Sequence, residues 1–263
     1  MSGLSVTLKK RLPGFDLDVG WSVRNGFTVL FGYSGSGKSL TLSMIAGTTA
    51  PESGRVVLGG ETLTDTSARI QVPTALRRIG YVAQNAALFP HMSVAANVEY
   101  ALGRRVPRSR RREQALDLLD RFRVADLAEK RPHQISGGQQ QRAALARALA
   151  TRPRALLLDE PLSALDLPIR VEMHEVLRQA QRDSGIPFVM VTHDLHEAAN
   201  LADTLVVYSG TGVVQTGPPA DLLGDPGTPE IRRLLHAVEL PLGIFAEEPA
   251  GRLVPLDRRE HVA

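Results

Sequence analysis

Gly32-Tyr33-Ser34-Gly35-Ser36-Gly37-Lys38-Ser39 fits the spacing G-x-x-x-x-G-K-[ST]. The run before it, Phe27-Thr28-Val29-Leu30-Phe31, is short and apolar, as a strand buried in a mainly parallel sheet is, and the residues after it read as a helix. A strand, a glycine-rich loop and a helix N-terminus together make an anion cradle. The glycines let the backbone curl so that successive N–H groups face phosphate oxygens, and the helix beginning near Lys38 adds the positive end of its dipole. Lys38 is placed to neutralise β- and γ-phosphates, and Ser39 to offer its hydroxyl to a Mg²⁺ that bridges them. A flexible Gly/Ser turn has no need of a lysine and a serine after its last glycine. Residues 32–40, ending on Leu40, therefore point to a nucleoside triphosphate.

Working outward, Ala155-Leu156-Leu157-Leu158-Asp159-Glu160 reads as a buried strand that delivers two carboxylates at its C-terminal edge, where α/β sheets bind ligands. Asp159 is expected to hold Mg²⁺, and Glu160 to polarise an attacking water as general base. Residues 154–158 and 188–192 are further apolar runs, each preceded by a helix-compatible stretch, 139–149 and 170–182. That order is alternating α/β. Phe15, Leu17, Val19, Trp21 and Val23 alternate with Asp16, Asp18, Gly20 and Ser22 at the period of a half-buried strand. Residues 82–130, Arg- and Leu-rich in their second half, read as a helical insertion. The tail after about His236 is rich in Pro, Gly and charge, an extension either little structured or packed on the main domain.

Composition narrows the class. At 263 residues, 43% of them hydrophobic, the chain can hold one large domain or two modest ones. Lys plus Arg exceed Asp plus Glu by only 31 to 28, a small imbalance that gives little reason to expect nucleic acid. The absence of cysteine excludes disulfide scaffolds, cysteine-ligated zinc or iron–sulfur sites and thiol nucleophiles. No stretch approaches the roughly 18 to 20 apolar residues of a membrane span, and Met1-Ser2-Gly3-Leu4-Ser5 lacks an export signal. A cytoplasmic chain is expected, its membrane role, if any, exercised through partners. The basic run at 104–112 has no interleaved aromatics for base stacking. It is expected to be a solvated face leading into a helix at 113–122, with no nucleic-acid partner.

Ile135-Ser136-Gly137-Gly138-Gln139, leading into a helix through Gln140, Gln141 and Arg142, resembles the signature of ABC ATPases. Its physical logic is again phosphate binding: Ser136 caps a helix, Gly137 and Gly138 permit close backbone approach, and the N-terminus faces an anion. The family's other motifs follow in its order. Gln84 resembles the Q-loop glutamine, a ligand near Mg²⁺ whose loop connects to the transporter's membrane part. Ser163-Ala164-Leu165-Asp166 resembles the D-loop, and His193 the switch histidine that contacts the γ-phosphate. The resemblance covers about residues 4–235. It implies an α/β P-loop NTPase, the ABC cassette, with a RecA-like core, a small antiparallel β lobe and a helical subdomain at about 85–150, in a domain spanning 1–235. An extension at 236–263 follows, too short for a separate regulatory domain of ~40 residues or more.

The same resemblance implies ATP and Mg²⁺ as ligands and a homodimer of ATPase subunits. Lys38, Glu160 and His193 are then the catalytic residues. Each ATP lies between residues 32–40 of one chain and Ser136, Gly137, Gly138 and Gln139 of the other, with Mg²⁺ near Ser39, Gln84 and Asp159 and with Asp166 at the dimer contact. A single motif set without a long heptad region or zinc-binding cysteines is similar to a transporter subunit. Leu88-Phe89-Pro90-His91-Met92-Ser93-Val94 and Glu160-Pro161-Leu162-Ser163-Ala164-Leu165-Asp166 resemble the importer subfamily. Within it the molybdate-type oxyanion systems are most similar, on Arg77-Arg78-Ile79-Gly80-Tyr81-Val82 and the compact amino-terminal strand pattern. Separate transmembrane permease subunits, an extracytoplasmic solute-binding protein and a position on the inner face of the membrane follow from that likeness. Sulfate, ferric iron or sugar are the alternative cargoes, and a soluble ABC ATPase acting on nucleic acid or in iron–sulfur assembly is the alternative function.

Two departures stand out. No aromatic to stack on adenine is evident, since Lys9-Lys10-Arg11-Leu12-Pro13-Gly14 occupies its neighbourhood. Phe15 and Trp21 are substitutes whose alternation favours sheet packing. Leu40 stands where many relatives carry Thr or Ser, which removes one phosphate hydroxyl.

Overall fold

An alternating apolar face over residues 4–23 begins the antiparallel lobe. The computed structural model describes residues 3–210, 212–224, 228–229 and 232, and the backbone of two short strands beyond them. β1 (Gly3–Leu12) folds back on β2 (Phe15–Arg24) with Leu12 opposite Phe15, and Leu4, Val6, Leu8, Leu17, Val19, Trp21 and Val23 are all buried on one face. β3 (Phe27–Gly32) is buried at every position, as an apolar run covered on both faces must be. After α1 (Lys38–Ala46), the chain adds β4 (Ser53–Leu58), β5 (Glu61–Asp65) and β6 (Ile70–Gln71) to the far edge of β1.

α2 (Thr74–Arg77) and β7 (Ile79–Val82) lead to a helical segment of α3 (Val94–Leu102), α4 (Arg108–Arg121) and α5 (Gly137–Ala150). Then come β8 (Ala155–Asp159), α6 (Leu167–Ser184), β9 (Phe188–Thr192), α7 (Leu195–Leu201), β10 (Thr204–Ser209), β11 (Gly212–Gly217) and α8 (Pro219–Gly224). The strands form one 11-stranded sheet in the order β6-β5-β4-β1-β2-β11-β10-β3-β9-β8-β7. β10, β3, β9, β8 and β7 run parallel, and β6 to β2 are antiparallel. β11 joins the halves, antiparallel to β10 and meeting β2 at Gly212 and Asp18. The RecA-like parallel core, the antiparallel lobe and the helical segment of the sequence reading are thus all present. No helix among the described residues is long and apolar enough to cross a membrane.

The structure corrects one boundary. The helix expected at 113–122 begins at Arg108, directly after Pro107, so the second half of the basic run is the first turns of α4. Arginine is a good helix former, and three of the run's arginines have partners nearby: Arg112 pairs with Glu99 and Glu129, Arg111 Nε donates to the Val106 carbonyl and Arg105 to that of Thr151. Beyond residue 235, β12 (Phe245–Glu247) pairs antiparallel with β13 (Leu253–Pro255). The rest of the extension expected at 236–263 lies outside the described residues.

α1 is fastened at both ends. At its C-terminus the fully buried Arg77 guanidinium donates to the carbonyls of Met44 (3.1 Å) and Ile45 (2.8 Å), to Val72 O (2.9 Å) and to Thr64 Oγ1 (2.9 Å). Its charge meets the negative end of the helix dipole. At the N-terminus, Trp21 Nε1 donates to the Tyr208 hydroxyl (3.0 Å), which donates to Thr41 Oγ1 (3.3 Å), which in turn donates to the Gly37 carbonyl (2.9 Å). One chain of hydrogen bonds therefore runs from the antiparallel lobe through the parallel core to the glycine-rich loop.

Burial pushes the Tyr208 hydroxyl up to about 12. A phenol in the unfolded chain ionises near its ordinary value of 10, so the stability this proton contributes is complete below pH 10 and is lost as pH rises toward 12. Tyr208→Phe leaves Trp21 Nε1 buried without its acceptor. It is expected to cost about 1–3 kcal/mol at pH 7 and to flatten the alkaline loss, read by denaturant unfolding followed through Trp21, the single tryptophan. An unchanged midpoint at pH 7 would show that the chain carries no stability.

Candidate functional site

The C-terminal ends of β3, β8 and β9 carry the predicted groups to one edge of the parallel core. Between β3 and α1 the loop turns so that Gly37 sits at φ 89°, left-handed backbone, with the Leu17 side chain 2.4 Å from where a Cβ would lie. Only glycine fits. Lys38 is 5% exposed, and its ammonium turns back into the loop to donate to Gly32 O (2.8 Å), Tyr33 O (2.7 Å) and Ser36 Oγ (3.3 Å). Burial lowers its pKa, opposed by the nearby Glu160 and Asp159 carboxylates. Ser36 Oγ also donates to Tyr33 O (2.8 Å), which ties the loop across its middle. Tyr33, Ser34, Gly35 and Ser39 are exposed along the rim.

β8 delivers Asp159 and Glu160 as the sequence predicted, and sends them to different partners. Ser39 Oγ donates to Asp159 Oδ1 (2.7 Å), and the Tyr81 hydroxyl reaches Asp159 Oδ2 (3.5 Å) from the neighbouring β7. Burial pushes the Asp159 carboxyl up, and these hydrogen bonds pull it back. Glu160 holds a left-handed φ of 47°, which turns its side chain out of the strand. Its Oε2 accepts from Gln84 Nε2 (3.2 Å), and its Oε1 meets His193 Nδ1 (3.2 Å). Gln84, Glu160 and His193, 76 and 33 residues apart along the chain, therefore converge on one carboxylate.

Phosphate-loop residues, Gln84 and Glu160 line a cleft of about 520 Å³ whose other wall is Leu12, Pro13, Phe15, Leu40 and Val191. Phe15, the partly buried first residue of β2, stands at its mouth beside Gly37. Trp21 is inside the lobe on Tyr208. Of the two aromatics weighed from the sequence, Phe15 is the one at the cleft, and it packs on the lobe's apolar cluster as well. It sits at the hairpin turn, opposite Leu12, which lines the same cleft. Leu40 packs on the same apolar cluster and lines the cleft, as an apolar side chain would and a hydroxyl would not.

Residues 136–139 do not line that cleft. Ser136 caps α5, its Oγ accepting from Gln139 N (3.3 Å) while Gln139 Oε1 accepts from Ser136 N (2.9 Å), a capping box that fixes the helix start. Ser136 and Gly137 are exposed. Gly138 also packs within its own chain. A Cβ there would meet Leu165 Cδ2 at 2.7 Å and Ala164 O at 2.9 Å, so Gly138 admits the chain's own 163–166 loop. Asp166 is exposed at the N-terminus of α6 with no side-chain cap bond. Leu12 and Pro13, in the stretch that occupies the adenine aromatic's neighbourhood, do line the cleft, whereas sequence reading gave no role to Tyr81 or the buried Gln141, whose partners are distant in the chain. Only the alternation of Ile79 and Tyr81 in β7 signals that Tyr81 faces a different layer from Gly80 and Val82.

A match to the family model described as "ABC transporter" covers residues 18–163. The chain is 44% identical over 231 residues to the molybdenum import ATP-binding protein ModC of Rhizobium etli, covering 88% of this chain and 64% of that protein. It is 45% identical over 221 residues to the Fe(3+) ions import ATP-binding protein FbpC of Pseudomonas fluorescens, covering 83% and 62%. The chain thus spans less than two thirds of the length of these curated relatives. Among solved structures, the ATP-binding cassette MJ0796, in a dimeric post-hydrolysis state bound to ADP and Pi, is similar at a TM-score of 0.72 and 29% identity, over 82% of this chain and 98% of that one. A family match across more than half of the sequence, running from β2 through the loop, the signature helix and both strand-end carboxylates, shows that this chain belongs to the ABC transporter family.

Proposed function

We propose that this chain binds and hydrolyses ATP as the energising subunit of an ABC importer, with molybdate as its favoured cargo. The observation that carries the hydrolytic part is Glu160, held at one oxygen by Gln84 and at the other by His193, at the edge of the loop that encloses Lys38. In this reading Lys38 exchanges the Gly32 and Tyr33 carbonyls for β- and γ-phosphate oxygens. Glu160 takes a proton from water as the water oxygen bonds to the γ-phosphorus. The bond from that phosphorus to the β–γ bridging oxygen breaks, and ADP leaves with the electron pair. His193 holds the carboxylate at its correct angle and faces the transferring group.

The donor set suits a hard cation. Ser39 Oγ, an Asp159 carboxylate oxygen and the Gln84 amide oxygen are all oxygen ligands, and the first two already stand 2.7 Å apart. Bound there, Mg²⁺ supplies neutralising charge to the β- and γ-phosphate oxygens. Phe15, with Leu12 and Pro13, forms the apolar wall on which the base would rest.

Two copies, arranged head to tail, complete the site in this reading, the exposed Ser136 and Gly137 of one meeting ATP on the loop of the other. The dimeric state named for MJ0796 supports it. Permease subunits in the membrane and an extracytoplasmic binding protein would be separate chains, and this one would sit peripherally on the inner face. The names molybdenum import and Fe(3+) ions import carried by relatives at 44% and 45% identity support an importer, with ferric iron as the alternative cargo. The arginines of the basic run that pair internally give no support to a nucleic-acid role.

Glu160→Gln is expected to keep ATP binding, to lower turnover by about 10²- to 10⁴-fold and to accumulate as an ATP-bound dimer in size-exclusion chromatography. A monomer that still turns over ATP would remove Glu160 as base. Lys38→Ala is expected to weaken ATP about ten- to a hundredfold in an equilibrium titration; unchanged affinity would contradict its phosphate role. For cargo, uptake of labelled molybdate by cells whose uptake depends on this chain is expected to vanish with Glu160→Gln and to be competed by tungstate. Loss of ferric iron uptake alone would reassign it.

A further inference from the structure

Arg170, in the first turns of α6, has a guanidinium that reaches two loops at once. Its Nη2 donates to the Leu165 carbonyl in the 163–166 loop (3.0 Å), and its Nη1 to Asp194 Oδ2 (3.1 Å). Asp194 follows His193 directly and is the N-cap of α7, its Oδ1 accepting from His196 N (2.8 Å) and Glu197 N (3.2 Å). The remaining Nε lies 3.8 Å from Glu197 Oε1, an ion-pair distance without a hydrogen bond, so one arm of the fork is not yet engaged among the described residues. Glu197 is itself held by Thr192 Oγ1 (2.6 Å), which also accepts from Asp194 N (3.0 Å).

The other side of the same loop is held by the helix that Ser136 caps. Gln141 Oε1 accepts from Ala164 N (3.3 Å) and Gln141 Nε2 donates to Ser163 Oγ (3.4 Å), while Ser163 Oγ donates to the Glu160 carbonyl (2.9 Å). A continuous set of contacts thus runs from α5 through Gln141, the 163–166 loop, Arg170 and Asp194 to His193. Its last bond, His193 to Glu160, closes back on the β8 end from which the loop departs. Arg170 and Asp194 are each only about a quarter exposed, so their pairing is less screened than a surface ion pair. The planar, two-armed guanidinium is what lets one side chain serve both loops; a lysine ammonium on the same stem is a point charge without that fork.

We propose that Arg170 is the positioning residue that couples the 163–166 loop to the His193 loop, so that movement of the first loop against a second copy resets the His193 contact with Glu160. This rests on the reading of Glu160 and His193 as the hydrolytic pair. The test uses the full chain with Arg170→Lys, which keeps a cation for Asp194 and loses the second arm. Asp194→Asn accompanies it, keeping the α7 cap and losing the charge. Each single variant is expected to retain ATP affinity within about twofold and an unfolding midpoint near the parent's, while kcat falls about tenfold. The double variant is expected to be no slower than the worse single one, because both remove the same link.

Parent-like kcat in Arg170→Lys would overturn the proposal. So would a loss of turnover matched by an equal loss of ATP affinity or of thermal stability, which would mark Arg170 as a residue of the fold only. Glu160→Gln and His193→Ala measured alongside separate the two levels: parent-like turnover in both removes the hydrolytic reading itself. Their failure beside an unaffected Arg170→Lys removes only the coupling.

Discussion

Burying the Lys38 ammonium in a ring of backbone carbonyls is the constraint on which the rest of this structure depends. A cation that is 5% exposed loses most of its hydration, and the loss is offset only if its hydrogen bonds are all made and anionic charge stands near. Three acceptors in the loop and the carboxylates of Asp159 and Glu160 meet that need without a contact salt bridge. The arrangement leaves the lysine held by weak, replaceable partners. A triphosphate offers the same ammonium oxygens of higher charge, so the loop is organised for its ligand before the ligand arrives.

Such a loop must not relax, and the fold prevents it from both directions. Trp21, Tyr208 and Thr41 reach the Gly37 carbonyl through a buried chain of hydrogen bonds, while Arg77 grips the far end of α1. Trp21 belongs to the antiparallel lobe, Arg77 to its connection to β7 and Tyr208 to the parallel core, so both halves of the sheet hold the loop in place. The parallel core supplies the remaining precision, because β3, β8 and β9 are adjacent and end together.

Much of this was legible in the sequence, for local reasons. The glycine-rich stretch, the strand ending in Asp159-Glu160 and the alternation of β2 each write their meaning within ten residues, and the ABC signature placed Ser136 at a helix cap where it is found. What was not legible depends on long-range contact. Phe15 and Trp21 share one face of one strand and are equivalent by periodicity; only the position of the hairpin beside Gly37 sends one to the cleft and the other to Tyr208. That Gly138 also lies against the 163–166 loop is a contact that no local pattern announces. The roles of Arg170 and Arg77 could not be read locally, since Arg170 needs Asp194, 24 residues on, and Arg77 the carbonyls of Met44 and Ile45, more than thirty residues back. The early start of α4 was missed because a dense basic run hides good helix formers behind their charge.

The central claim is that ATP is enclosed between the loop of one copy and the capped α5 start of another, and the absence of cysteine makes it directly measurable. Chains carrying Ser34→Cys and chains carrying Ser136→Cys, each with Glu160→Gln, would be mixed and oxidised with and without ATP. An interchain disulfide that forms between the two kinds of chain only when ATP is present is the expected result. A cross-link indifferent to ATP, or none in either condition while ATP still binds, would contradict the head-to-tail site.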